Sequence, residues 1–224
     1  MTNEGSAPRR GLAEGMARLA TTMREMVERS TASLRAAVGL LDGRDGEAIR
    51  SIFELDQALY ATKQEVVKTC VELLALHAPV ARDLRTITAD LEIAHDLDRV
   101  GRYAKDIAEI FQGLSPEDRR AAERVPLLRR MGELTVRMVE RVTTALIHGD
   151  LDSVRDIDTA DNEVDDLHEQ VFRDLVGRIA DQSVSPVAGA ALILVNRYFE
   201  RLADHAVNVG GHVEYLLSGA RRHW

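Results

Sequence analysis

The stretch NRYFERLADHAVNV, residues 196–209, decides the fold class of this chain. Its apolar residues recur every three or four positions, as on the buried face of a helix. Glu200, Asp204 and Asn208 recur every four residues on the same stretch and therefore form one continuous ridge along the helix. The combination predicts a packed helix that carries a row of oxygen ligands along one side.

A second stretch, HDLDRVGRYAKDI at residues 95–107, repeats this pattern in the first half of the chain. The two stretches align with an offset of 102 residues, and the ridge positions pair as Asp98 with Glu200, Arg102 with Asp204, and Asp106 with Asn208. The two copies are unequal, because the first places a cation where the second has a carboxylate. The offset is close to half the chain and indicates a tandem duplication.

Turn signals such as Asp42-Gly43 and Ser185-Pro186 divide the chain into helical segments, and none of these alternates with the period of a strand. The expected bounds are about 12–41, 47–76, 79–111, 115–147, 151–180 and 185–218. Long helices joined by short loops pack antiparallel. We therefore predict an all-α fold: a tandem duplication of two antiparallel three-helix bundles, with six long helices.

The same signals predict the organisation of the chain. We expect residues 1–10 to be a flexible N-terminal tail and residues 220–224 a basic C-terminal tail. Residues 11–113 then form the first three-helix repeat, and residues 114–219 form the second.

Composition narrows the function classes. The net charge of −8 argues against a general nucleic-acid binder, which needs a basic face to replace counterions. Cys70 is the only cysteine, so no disulfide forms within the chain, and its apolar surroundings predict a buried side chain. The N-terminus lacks the apolar run of a signal peptide. We expect a cytoplasmic protein that reaches a membrane only through partners.

A second acidic row precedes the second motif. Asp158, Asp161, Asp165 and Glu169 line one stripe of the predicted fifth helix, beside its apolar seam. Like charges in one stripe repel one another, and a bound cation would remove that cost. Carboxylate and amide oxygens suit hard cations. If the fifth and sixth helices are neighbours, the two rows face one metal site; the alternative is an ordinary solvated face neutralised by arginines.

A different reading starts from Glu92 and His95, which have the ExxH spacing of di-iron bundles. The nearest second copy, Asp165 and His168, has the wrong acid. A di-metal oxidoreductase of this kind requires both histidines to point inward beside carboxylates. No phosphate loop, nucleophile elbow or zinc-protease motif occurs in the sequence, so we expect no catalytic residues and no enzyme.

The two motifs together resemble the PhoU family, the phosphate-uptake regulators of bacteria. The family's hallmark is a duplicated Glu/Asp-x-x-x-Asp motif, and the copy ERLADHAVN at residues 200–208 matches it fully. The first copy, DRVGRYAKD at residues 98–106, departs from it at Arg102 and Asp106. The run APVARDLRTI at residues 78–87 also looks like the PhoU segment that precedes the first motif.

The resemblance implies paired three-helix bundles, usually in a homodimer, that bind iron, magnesium, manganese or zinc on their surface. We expect seven residues to hold metal: Glu200, Asp204, Asn208, Asp158, Asp161, Asp165 and Asp98. We expect three others to face partners: Arg102, Asp106 and Arg201. Arg102 would serve as a built-in cation or contact a kinase.

The resemblance also implies a function. It implies a non-enzymatic adaptor between the ATPase of the phosphate ABC transporter and a sensor histidine kinase, which negatively regulates phosphate uptake and the phosphate-starvation response. The alternative within the same fold is a helical accessory protein of another phosphate transporter.

Overall fold

The computed structural model of the chain describes residues 7–43 and 45–220. Within these ranges there is no strand, which confirms the all-α prediction. The seven α-helices are α1 (Ala7–Gly39), α2 (Asp45–His77), α3 (Ala81–Gly113), α4 (Pro116–Arg119), α5 (Pro126–His148), α6 (Ile157–Ala180) and α7 (Pro186–Ser218). The parts of the predicted tails at residues 1–6 and 221–224 lie outside the described residues.

Local sequence sets several helix ends as predicted. Ser115 and Ser185 are N-caps: each hydroxyl accepts a hydrogen bond from the backbone N–H three residues later, and a proline follows each in the first turn. Gly43 and Gly149 end helical segments with left-handed backbone, φ 75° and 70°, which glycine adopts without steric cost.

Two predicted helix starts were wrong. Helix α1 begins at Ala7, before the expected start near residue 12 and inside the segment 1–10 predicted as a tail. Helix α3 begins at Ala81 and not at Pro79, because Ala78 has a φ of 44° and Val80 is extended. Pro79 disfavours right-handed helical backbone in the residue before it, so the chain leaves α2 at His77.

The fourth and fifth predicted helices are also shorter than expected. Val125 has φ −116° and ψ 74°, and the long helix restarts only at Pro126, which disfavours helical backbone in Val125. The predicted segment 115–147 is therefore the one-turn α4, a 3₁₀ turn at Ala122–Arg124, and α5. The next segment opens with a 3₁₀ turn at Leu151–Val154 before α6 starts at Ile157.

The long helices pack as two bundles that share one core. Helices α1, α2 and α3 pack on one another, as do α5, α6 and α7. Helix α3 also packs along α7, and α1 packs against α5. The buried residues of both halves form one continuous hydrophobic cluster, with Phe111 and Phe199 among the largest fully buried side chains. The motif helices α3 and α7 are therefore the common centre of the molecule.

The contacts between α3 and α7 obey a local two-fold relation. With the 102-residue offset, Tyr103 corresponds to His205 and Asp96 to Tyr198. The rings of Tyr103 and Tyr198 lie 5.6 Å apart, and the exchanged pair, His205 Nδ1 and Asp96 Oδ1, lies 2.8 Å apart. Tyr103 and His205 face each other at 5.7 Å, so the pseudo-two-fold axis passes between them. The two repeats thus meet as two copies of one subunit would.

Candidate acidic site on the second repeat

The candidate site is a group of five carboxylates on the packed helices α6 and α7, which we call the acidic cluster. Its members recur at intervals of three or four residues along each helix, so each row lies on one face. They are Asp158, Asp161, Asp165, Glu200 and Asp204. The packing of α6 on α7 brings the two predicted rows together.

Asp161 interacts electrostatically with every other member of the acidic cluster. Its pKa is raised from 3.8 to about 6, first by burial and then by the charges of its four fellow members. Mutual repulsion of this kind means that the ionised cluster costs stability in the absence of a cation. Asp161 is half-buried, whereas its neighbour Asp165 is exposed.

Glu200 has one satisfied and one unsatisfied oxygen. Its Oε1 accepts a hydrogen bond from Arg197 Nη1 at 2.6 Å. Its Oε2 is buried and has no hydrogen-bond partner among the described residues. Burial, followed by the charge of Asp204, raises the pKa of Glu200, while Arg197 and His168 act in the opposite direction. A buried acceptor without a donor is costly, and a bound cation would satisfy it.

Sequence reasoning missed one residue at the edge of the cluster. Asn196 is fully buried; its Nδ2 donates to the backbone carbonyl of His168 at 3.0 Å, and its Oδ1 has no partner among the described residues. Asn196 stands four residues before Glu200, so extending the four-residue series by one turn would have found it. His168 Nδ1 is likewise buried and without a partner within the described chain.

The remaining ridge positions of α7 face solvent. Asp204 is exposed, and Asn208, one turn further along, is exposed as well. Arg201, predicted to face partners, is exposed but does not extend freely. Its Nε donates to the hydroxyl of Tyr103 at 3.0 Å and its guanidinium carbon lies 5.9 Å from the centre of that ring. Arg201 therefore bridges the two motifs.

The first motif is arranged differently. Lys63 Nζ of α2 lies 2.8 Å from Asp98 Oδ2. Arg102 Nη1 lies 3.8 Å from Asp56 Oδ2, also on α2. Asp106 is half-buried, and its pKa is raised first by burial and then by Glu109. The carboxylates predicted to bind metal or partners in this repeat already face cations of the protein.

The oxidoreductase alternative lacks its site. Glu92 and His95 are both exposed on α3, so the inward-facing arrangement that this alternative requires does not form.

Cys70 is buried as predicted, with Sγ 3.8 Å from the carbonyl oxygen of Ile87, and burial raises the pKa of its thiol to about 12. Its thiol is therefore a poor nucleophile.

The acidic cluster is not a closed coordination sphere. Within residues 7–43 and 45–220, no three His, Cys, Asp or Glu side chains converge closely enough to hold an ion as they stand. The chemistry of the cluster nevertheless fits a hard cation, because it combines oxygen donors, mutual repulsion and the orphan Oε2 of Glu200. The first motif does not fit a cation, because its carboxylates already face cations of the protein.

No described helix has the length and apolarity needed to cross a membrane.

Comparison with protein families gives a consistent result over both repeats. The family model described as PhoU domain matches residues 23–111 and again residues 128–213. A phosphate-specific transport system accessory protein PhoU homolog of Deinococcus radiodurans is 31% identical over 186 residues, covering 83% of this chain and 86% of that protein. The PhoU homolog 2 of Mycobacterium tuberculosis is 31% identical over 194 residues, 87% of each chain.

Solved structures show the same fold. PhoU from Pseudomonas aeruginosa superposes with a TM-score of 0.82 at 24% identity and covers 93% of this chain and 99% of its own. The phosphate transport system regulatory protein PhoU from Streptococcus pneumoniae superposes with a TM-score of 0.77 at 23% identity, covering 97% of this chain and all of its own.

Proposed function

Because this chain belongs to the PhoU family, we propose that it acts as an accessory protein of phosphate transport. The observation that carries the proposal is the match of the family model to both repeats, with curated relatives that align over most of their length. The second motif is intact, and the fold places it on the central helix α7.

The finer proposal is that of an adaptor. The protein would act in the cytoplasm as a homodimer, between the ATPase of a phosphate ABC transporter and a sensor histidine kinase, and would repress phosphate uptake and the phosphate-starvation response. The net charge of −8 and the exposed polar face of α7 suit a protein that docks on other proteins and reaches the membrane through them.

We further propose that the acidic cluster binds iron, magnesium, manganese or zinc. Asp161, Asp165, Glu200 and Asp204 would hold the ion. Asp158 and Asn208 would stand at one end of the site, because α6 and α7 are antiparallel and Ile157 lies beside Gly210. The ion would supply positive charge that cancels the repulsion raising the pKa of Asp161 and would satisfy Glu200 Oε2. Arg197, already hydrogen-bonded to Glu200 Oε1, would orient that carboxylate.

The test of the metal proposal is elemental analysis of the purified full chain by plasma mass spectrometry, beside Glu200→Ala/Asp204→Ala. Near-stoichiometric metal that disappears in the double variant supports the proposal. Asp174→Asn is the matched control, because it removes a carboxylate of α6 that pairs with Arg178 at 2.7 Å, outside the cluster. No metal in the wild type, even after reconstitution, would overturn the proposed site.

The test of the adaptor proposal is genetic and biochemical. A strain lacking this gene, complemented with Glu200→Ala/Asp204→Ala, should express phosphate-starvation genes in high phosphate, whereas the Asp174→Asn control should repress them. Binding of the purified chain to the transporter ATPase and to the cytoplasmic part of the kinase is measured in parallel. Normal repression by the double variant would remove the acidic cluster from the mechanism, and absence of binding to both proteins would overturn the adaptor role.

A further inference from the structure

We infer that the first repeat carries no metal site and that Lys63 and Arg102 are its permanent cations. This inference deepens the proposed function and rests on it, because it takes the acidic cluster as the metal site with which the first repeat is compared. It replaces the expectation, drawn from the repeated motif, that Asp98 binds metal.

Each member of the acidic cluster has a counterpart in the first repeat. The motif helices α3 and α7 correspond at the 102-residue offset, whereas α2 and α6 correspond at an offset of 105, because their buried positions coincide there, as Ile52 with Ile157 and Leu59 with Val164. The pairs are Asp158 with Phe53, Asp161 with Asp56, Asp165 with Tyr60, Glu200 with Asp98, and Asp204 with Arg102, and Lys63 corresponds to His168. Five carboxylates in the second repeat thus become two carboxylates, one cation and two aromatic residues in the first, where Lys63 adds a second cation.

Lys63 takes the place of a bound ion at Asp98. Its ammonium nitrogen lies 2.8 Å from Asp98 Oδ2, within hydrogen-bond distance, and the two side chains are only 16% and 13% exposed. A pair this sheltered is weakly screened by water and salt. A cation that approaches Asp98 would be repelled by the charge of Lys63. It would also have to displace the Lys63 ammonium group, which the chain holds in place.

Arg102 has the same role towards Asp56. The closest approach between their charged groups is 3.8 Å, and the carboxylate side chain is 14% exposed. Arg102 also acts on Asp106, because its charge lowers the pKa of that carboxyl against the larger effect of burial. One guanidinium therefore faces two of the carboxylates that remain around this motif.

The first experiment counts manganese bound to the full chain after dialysis, using Mn²⁺ as the probe. Asp204→Asn should abolish binding, and Asp98→Asn should leave the wild-type content unchanged. A content that falls in Asp98→Asn overturns the inference while the proposed metal site stands. Absence of manganese from the wild type overturns the proposed site, and the second experiment then tests the first repeat by itself.

The second experiment compares one variant of each repeat in the presence of a chelator. Lys63→Gln removes the cation that faces Asp98, and Asp165→Asn removes one charge of the acidic cluster. Lys63→Gln should lower the thermal midpoint by several degrees, because Asp98 loses its partner, whereas Asp165→Asn should leave it unchanged or raise it, because repulsion in the cluster falls. Equal effects of the two variants, or no effect of Lys63→Gln, would overturn the inference.

Discussion

At the scale of single residues, the burial of the Asp90 carboxyl group has a measurable consequence. Asp90 on α3 is 5% exposed, and burial raises its pKa from 3.8 to about 7. The unfolded chain ionises this group near pH 4 and the folded chain only near pH 7. Its contribution to the free energy of unfolding therefore falls as the pH rises from about 4 to 7, and stays low above 7.

Asp90→Asn removes this cost. We expect the variant to be more stable than the wild type at pH 8, by about 1–3 kcal/mol, with the difference shrinking towards pH 4. Urea unfolding at the two pH values measures it. The exposed Asp166, replaced by Asn, is the control and should show no such trend. A variant less stable than the wild type at pH 8 would contradict the burial argument.

The raised pKa of Asp161 predicts how metal binding depends on pH. With a pKa of about 6, it is mostly ionised at pH 7 and mostly protonated at pH 5. A proton and a cation compete for it, so the affinity for Mn²⁺ should fall about tenfold between these values. Isothermal titration calorimetry measures this fall. Asp161→Asn should bind more weakly and with a flatter pH profile; an unchanged profile would show that another group controls binding.

The sequence pattern singled out the members of the candidate site, but it did not predict their surroundings. The four-residue spacing alone predicted Glu200 and Asp204, because periodicity on a helix is local. It could not show that Asp98 faces Lys63, which lies 35 residues earlier on another helix. Asn196 was missed for a related reason: it is fully buried among apolar residues of the seam, where a polar ridge is not expected.

At the scale of elements, α7 depends on its first turn. Ser185 caps the helix by accepting a hydrogen bond from Ala188 N at 3.0 Å, and its hydroxyl also donates to Asp118 Oδ1 of α4 at 2.6 Å. Ser185→Ala should lower the free energy of unfolding by about 1–2 kcal/mol. Thermal or urea unfolding measures this. Ser115→Ala, which removes the cap of the one-turn α4, should lower the free energy of unfolding by less. A larger loss of stability in Ser115→Ala than in Ser185→Ala would contradict this prediction.

Helix positions were predicted well where the signals were strong and poorly where they were weak. The serine-proline starts of α4 and α7 and the glycine ends at Gly43 and Gly149 follow from side-chain and backbone geometry within a few residues. The break before α5 was missed, although Pro126 is visible in the sequence, because the apolar pattern continues through it. Helix periodicity does not reveal one turn that changes its hydrogen bonding.

At the scale of the whole molecule, the two repeats share a core and should unfold together. Phe199 of α7 is fully buried, and a Cβ on Gly132 of α5 would lie 3.0 Å from its ring and 3.1 Å from Val38 of α1. Phe199→Ala should cost about 3–5 kcal/mol and lower a single transition seen by both circular dichroism and calorimetry. Phe172, 46% exposed, is the control. Two separate transitions would show that the repeats are independent.

The duplication was readable from the sequence, but the way in which its halves join was not. Short loops predict which consecutive helices are neighbours within a bundle. They do not predict that α3 packs along α7, since these helices are separated by most of the second repeat. That contact depends on the surfaces left over once each bundle has formed.

The two-fold relation around Tyr103 and His205 has a consequence for how such a molecule can change over generations. In a dimer of identical half-length chains, every inherited substitution would appear on both sides of the axis. A lysine opposite one carboxylate would also stand opposite its twin, and both sides would gain or lose their charge together. Joining the halves in one chain frees each side to vary alone, so one side can hold fixed cations while the other keeps its carboxylates.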